Sequence, residues 1–354
     1  MLKIFKNVLK KQQFNSQSIS LAVYISLFFF AMYAYSDILA PFIISILIFY
    51  LLEWCINKII SHKIERNVAA ILVYISFLSI FIFMIFIIFP TLWKQFLLLL
   101  SHDLPVMLPK TQTNLVYLLN KYPEYFTEDQ IKIFIKGCYS YTQIFGKKIL
   151  SFSLYSISNI FIIILYSILI PIIVFFLLKD YEKVVSYFAD YNFEKRSLLF
   201  NIYLKLSKQI GNYIRGKIIE IAIVSFFTFI LFWYFNMPYA LLLSVSVGIS
   251  VLVPVLGIIL ITIPIIFISY LQWGIGTEST YCLFFYFVIQ LIDSNILVPL
   301  LFSEVINLHP MFILVSIVLF GGIWGAWGVF FAIPLAIIIQ SIIITINEFN
   351  KNNL

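Results

Sequence analysis

From Val68 to Phe89 the chain reads VAAILVYISFLSIFIFMIFIIF, without one charged side chain. As a helix this run is long enough to cross about 30 Å of hydrocarbon. Further apolar runs lie at 19–35, 38–54, 154–178, 218–235 and 281–301. Inside a bilayer every backbone N–H and C=O must be bonded within its own segment, so such runs are expected to be helices. Composition supports the same class: 62% of the 354 residues are hydrophobic and 11% are charged, with mean hydropathy +1.04. No soluble domain has a use for that much apolar surface. The expected fold is an all-α polytopic membrane protein of about eight membrane helical elements, two of them broken or re-entrant hairpins, with a small extramembrane helical subdomain.

Charge placement orders these elements. Lys3, Lys6, Lys10 and Lys11 stand in a basic arm, residues 1–18, before the first run. Only Ser36 and Asp37 separate the first run from the second, so the pair reads as a helical hairpin led by an uncleaved signal anchor. Residues 19–89 then hold three membrane helices. Residues 90–153 differ in character, with Pro105, Pro109 and Pro123 and amphipathic pieces such as DQIKIFIKGCYSYTQIF; they are expected to form the extramembrane subdomain. A membrane helix at 154–178 leads into a polar helical stretch at 179–217, which carries many more basic than acidic side chains. Short basic segments mark the cytoplasmic side. The N-terminal arm, the loop 57–67 and the 179–217 stretch are all basic, which places both termini inside and 90–153 outside. The basic residues sit at the edges of apolar runs and form no soluble basic face, so no nucleic-acid partner is implied. Cys55, Cys138 and Cys282 are scattered, which points to neither a disulfide framework nor a metal site.

The C-terminal membrane core, 218–346, contains two long apolar runs that are interrupted. The stretch 237–273 holds Gly248, Pro254, Gly257 and Pro264; the stretch 311–346 holds Gly321, Gly322, Gly325 and Gly328 before Pro334. Neither half of either run reads as a comfortable span. A broken membrane helix is tolerated only where its freed backbone groups are buried in protein or line a watered cavity, and in transporters such breaks mark binding sites. Pro254, Gly257, Gly321, Gly322, Gly325 and Gly328 are therefore candidate hinges. The alternative is that the glycines only permit close helix packing.

The pieces PFIISILIFYLLEW (41–54), PIIVFFLLKDYEKV (171–184), QIGNYIRGKIIE (209–220), VPVLGIILITIP (253–264), NILVPLLFSEVINLHP (295–310) and GGIWGAWGVFFAIPLA (321–336) occur in this order. In that order they resemble the autoinducer-2 exporter family of bacterial permeases, and the tail resembles its PerM branch. The resemblance implies a multi-pass bacterial inner-membrane protein, homo-oligomeric, that carries a small molecule or an ion. Two departures touch its motifs: Lys217 stands where the family usually has Gln, and Val255-Leu256-Gly257 follows Pro254 where a Tyr is common.

Among single residues Asp293 stands out, because a carboxylate within a span costs about 2.5–3.5 kcal/mol on insertion scales. Gln290, Asp293, Ser294 and Leu297 share one helix face, a polar stripe suited to a small cation or a proton. Asn295 and Pro299 suggest a locally irregular helix. The other reading is an Asp that merely fixes packing. Arg215 and Glu220 lie where the basic stretch enters the membrane; Lys217 and Glu220, three apart, are expected to form a solvated interfacial pair. Glu53 and Asp37 end their spans and are expected to reach water. Glu304, Asn307 and His309 form a polar cytoplasmic connection, where His309 is a candidate pH sensor or a hydrogen-bonded turn residue.

No HExxH, GxSxG or P-loop pattern is present. The sequence therefore implies a non-enzyme without cofactor, whose partners are membrane lipids and a small-molecule or ion substrate. Two functional classes remain: a secondary transporter working by alternating access, and a non-transporting oligomeric scaffold or lipid-organising protein.

Overall fold

The computed structural model describes residues 36–103, 137, 157–180, 198–253, 256–274, 276–302 and 310–352, and every element it describes there is helical. The chain is an all-helical, polytopic membrane protein. The expected signal anchor at 19–35, most of the 90–153 subdomain and the tail beyond 352 lie outside the described residues.

Helix α1 is Ser36–Ile60, longer at both ends than the expected 38–54. It closes in a turn where Lys63 takes a left-handed φ of 66°. Helix α2, Arg66–Phe83, follows. Across that turn the Arg66 guanidinium grips both carboxylate oxygens of Glu53, at 3.0 and 3.3 Å. Glu53 is thus ion-paired, with 12% of its side chain exposed, and does not simply reach water as the sequence suggested. A partly screened pair of this kind is worth about 1 kcal/mol or less. Glu53→Gln is accordingly expected to lower the unfolding temperature in detergent only slightly, as read by differential scanning fluorimetry.

The third span does not end at Pro90. A π turn, Met84–Ile88, leads into α3, Phe89–Leu98, and then a second π turn, Leu99–Asp103. A proline inside an α-helix loses one hydrogen bond, and its ring meets the carbonyl four residues earlier. Widening the helix by one residue just before Pro90 moves those carbonyls aside, so the helix runs on. Most of its surface is apolar and exposed, Ile75, Ile80 and Phe86 among it, as suits a lipid-facing helix.

Helix α4 is Ile157–Lys179. Helix α5, Leu198–Tyr234, joins residues 198–217 of the basic stretch and the expected 218–235 span into one rod about 55 Å long. The first broken run becomes α6, Ala240–Ser250, and α7, Leu256–Trp273. Next come α8, Thr277–Ile292, a third π turn, Asp293–Leu297, and α9, Val298–Phe302. Helix α10, Pro310–Asn352, is two helices meeting at Gly325. Among the described residues six helical stretches are long and apolar enough to cross a membrane: 39–60, 66–101, 205–234, 256–273, 277–302 and 327–345. Each broken run is therefore unequal. One arm, Ala240–Ser250 or Met311–Gly325, is short, whereas the other, Leu256–Trp273 or Trp327–Thr345, is of spanning length. The sequence reading, in which neither half is a comfortable span, holds for the short arms, whereas the longer arms reach spanning length.

The chain divides into two compact units, 1–73 with 168–214 and 305–354, and 74–167 with 215–304. In the first, Ile317, Phe320, Phe331, Ala332 and Leu335 of α10 form a core joined by Ile43, Ile44 and Leu47 of α1. In the second, Val224 and Phe232 of α5, Leu243 and Val247 of α6, Ile265 and Ile268 of α7, and Cys282 and Tyr286 of α8 form the core.

Candidate functional site

In the second unit α5 and the α8–α9 stretch lie side by side in opposite directions. The rings of Phe232 and Tyr286 stack at 6.1 Å. Sixteen residues back along α5, a methyl group built at Gly216 would lie 2.7 Å from the Phe302 ring, so the bare backbone there admits the ring. The Lys217 ammonium sits 5.4 Å above the centre of that ring.

Between these contacts is a buried charged group. Lys217 Nζ donates to both Glu220 carboxylate oxygens, at 2.9 and 2.7 Å. Side-chain exposure is 9% for Lys217 and 2% for Glu220. The pair is buried, which corrects the expectation of a solvated interfacial pair: the Phe302 ring and the neighbouring helices exclude water from it. Buried ions are costly unless paired, and the two-point contact meets that condition for these two.

Asp293 is buried too, as is Gln290 one turn earlier on the same face. Asp293 lies in electrostatic range of Lys217 and of Glu220. Among the described residues its Oδ1 has no hydrogen-bond partner, nor have Oε1 and Nε2 of Gln290. A carboxylate bonded to a neighbouring helix merely to fix packing would have its oxygens engaged. Asp293 also opens the third π turn, where Val298 N–H donates to its carbonyl. That turn answers Pro299 as the first answers Pro90, and it realises the irregularity expected from Asn295 and Pro299. Ser294 and Asn295 are turned away: both are exposed, and Asn295 Nδ2 donates to Leu291 O at 2.9 Å. Arg215 is half-buried two residues before Lys217.

The first broken run passes beside this group. A methyl built at Gly248 of α6 would lie 1.8 Å from Ser225 Oγ and 2.9 Å from Ile221 O, so α6 crosses α5 between Ile221 and Ser225, in the turn after Glu220. At Gly257 the same methyl would meet Ser250 O at 1.8 Å. The break falls between α6 and α7, and Pro254 itself lies outside the described residues. Gln95 and Asp103 secure the entry to α6: Leu242 N–H donates to Gln95 Oε1 at 3.1 Å, and Tyr239 Oη donates to Asp103. Sequence reading missed these two anchors.

The glycines of the second run separate by role. Gly325 is the bend, with φ 61° and ψ −134°. A methyl at Gly328 would lie 1.8 Å from Phe320 O, and one at Gly321 would lie 2.8 Å from Val329. Residues eight apart along a straight helix are about 12 Å distant, so the chain folds back on itself here. Gly322 faces open space. Stacked rings of Phe320 with Trp324, and of Trp327 with Phe331, flank the bend. Glu304, Asn307 and His309 lie outside the described residues.

Lys217 was not singled out by sequence as a member of the site. The available signal was its place in GKIIEIAIV, where a lysine and a glutamate one turn apart are flanked by apolar residues that offer them no water.

The sequence profile described as AI-2E family transporter matches residues 21–348. The chain is 37% identical over 343 residues to the candidate permease PerM of Escherichia coli (strain K12), covering 97% of each protein. It is 26% identical over 315 residues to the candidate transport protein YrrI of Bacillus subtilis (strain 168), covering 87% of this chain and 86% of that one. A second Bacillus subtilis candidate transport protein, YueF, is 24% identical over 326 residues, covering 88% and 85%.

Proposed function

This chain belongs to the AI-2E transporter family, and on that footing we propose that it is a secondary transporter of the bacterial inner membrane. It moves a small polar solute or exchanges cations, by alternating access around the Asp293 site, with both termini cytoplasmic. The observation that carries this reading is the buried Asp293 carboxylate, with Oδ1 unpartnered among the described residues, beside a buried ion pair and a broken helix. An intramembrane carboxylate without a structural partner is expensive to keep and marks an ion or substrate path. The interrupted α6–α7 run beside it gives backbone groups that can bind and release. The names of the relatives, permease and transport protein, point the same way.

The test is flux. Purified protein in proteoliposomes, under imposed proton or sodium gradients, is expected to move protons or sodium faster than protein-free liposomes, or to move a gradient-driven organic solute. Liposomes that carry neither ions nor any member of a panel of small polar solutes would count against transport.

A further inference from the structure

Among the described residues the buried charged side chains are Lys217, Glu220 and Asp293, all in the second unit. One ammonium therefore stands against two carboxylates. The ammonium is committed to Glu220 through both carboxylate oxygens. Asp293 keeps an unpartnered Oδ1, and Gln290, one turn away, keeps an unpartnered amide oxygen. The group thus carries one negative charge in excess, with two oxygens on one helix face to offer a cation.

Resting on the reading of this site as the transport centre, we propose that Lys217 is its specificity-determining residue. By neutralising Glu220 it leaves a single carboxylate charge, so that the site takes one monovalent cation, a proton or a sodium ion, and refuses divalent cations. Divalent sites in proteins gather several oxygens and more than one carboxylate, and their affinity follows the charge of the ligand set. A nearby ammonium also repels a divalent ion twice as strongly as a monovalent one. Lys217 thereby acts at the site without being displaced from Glu220.

Three substitutions move the excess charge in different directions. Lys217→Gln raises it to two negative charges, and the protein is expected to bind calcium at least about tenfold more tightly than wild type. Glu220→Gln frees the ammonium to neutralise Asp293, and monovalent uptake is expected to fall at least about tenfold. Asp293→Asn removes the site. The measurement is equilibrium dialysis of the purified full-length protein against radiolabelled sodium and calcium, with bound protons counted by potentiometric titration against Asp293→Asn.

Wild type is expected to bind one sodium ion or one proton more than Asp293→Asn, and calcium is not expected to compete. Unchanged calcium binding in folded Lys217→Gln protein would overturn the proposal, as would undiminished monovalent binding in Glu220→Gln. Should Lys217→Gln not fold, Glu220→Gln decides alone. If wild type binds no monovalent cation yet carries solute across liposomes, this inference fails and the transport reading survives. If it binds as expected but transports nothing, the inference stands and the transport reading fails.

Discussion

Asp293→Asn is expected to reduce gradient-driven flux in proteoliposomes to the level of protein-free liposomes, while the protein still elutes and unfolds as wild type does. The substitution keeps the shape of the side chain and removes only its charge and its capacity to take a proton. Folding is not expected to depend on that charge: Oδ1 makes no hydrogen bond among the described residues, and a buried carboxylate oxygen without such a bond is a cost to the folded state. Stability is therefore expected to be unchanged or slightly higher. Loss of flux with retained stability is what a transport role requires. A scaffold whose Asp293 fixes packing would behave in the opposite way, with flux unaffected and the unfolding temperature lowered.

The second large effect is on the hairpins. Gly257→Ala and Gly328→Ala each place a methyl group 1.8 Å from a backbone carbonyl oxygen, of Ser250 and of Phe320. A side chain can swing away from such a contact, but a carbonyl held in a helix cannot, so the two arms must part. Overpacking of this kind costs about 1–3 kcal/mol and occasionally more, and both variants are expected at the upper end or beyond. Gly322→Ala is the control, because a methyl there meets nothing within 4 Å. Thermal unfolding in detergent should separate the three: a marked loss for Gly257→Ala and Gly328→Ala, and little change for Gly322→Ala. Equal unfolding temperatures for all three would remove the close approach of the arms.

The membrane class and the helical architecture were legible because hydrocarbon permits so few backbone solutions; uncharged runs such as 68–89 leave no other. Asp293 was legible for the same reason, since a lone carboxylate in such surroundings is conspicuous. The faces of the helices were not. In a soluble helix polar residues mark the outside, but here Ile75 and Phe86 point outward and are as apolar as the buried Ile265. Periodicity therefore carries little information about what is inside. The outward turn of Asn295 and the enclosure of Lys217 with Glu220 were hidden by that silence: Lys217 is covered by the Phe302 ring, from far along the chain. Pro90 misled by a different route, because the rule that proline ends a helix assumes α geometry on both sides of it. Of the four glycines near the second bend, sequence could mark the region, but only the left-handed backbone of Gly325 identifies the bend itself.

The π turn at Asp293–Leu297 amounts to one extra residue spliced into a helix. Upstream of it the buried positions Ser279, Cys282, Tyr286, Gln290 and Asp293 follow a regular three-or-four spacing. Downstream that rhythm slips: Leu300 is exposed, and Phe302 is the residue turned inward. One residue corresponds to about 100° of rotation. Without the insertion the Phe302 ring would face away from Gly216, and Lys217 would lose the cover that keeps water from its ion pair. The same helix thus speaks to its neighbour in two reading frames, one for the carboxylate and one for the lid over the Lys217–Glu220 pair, and a single codon separates them.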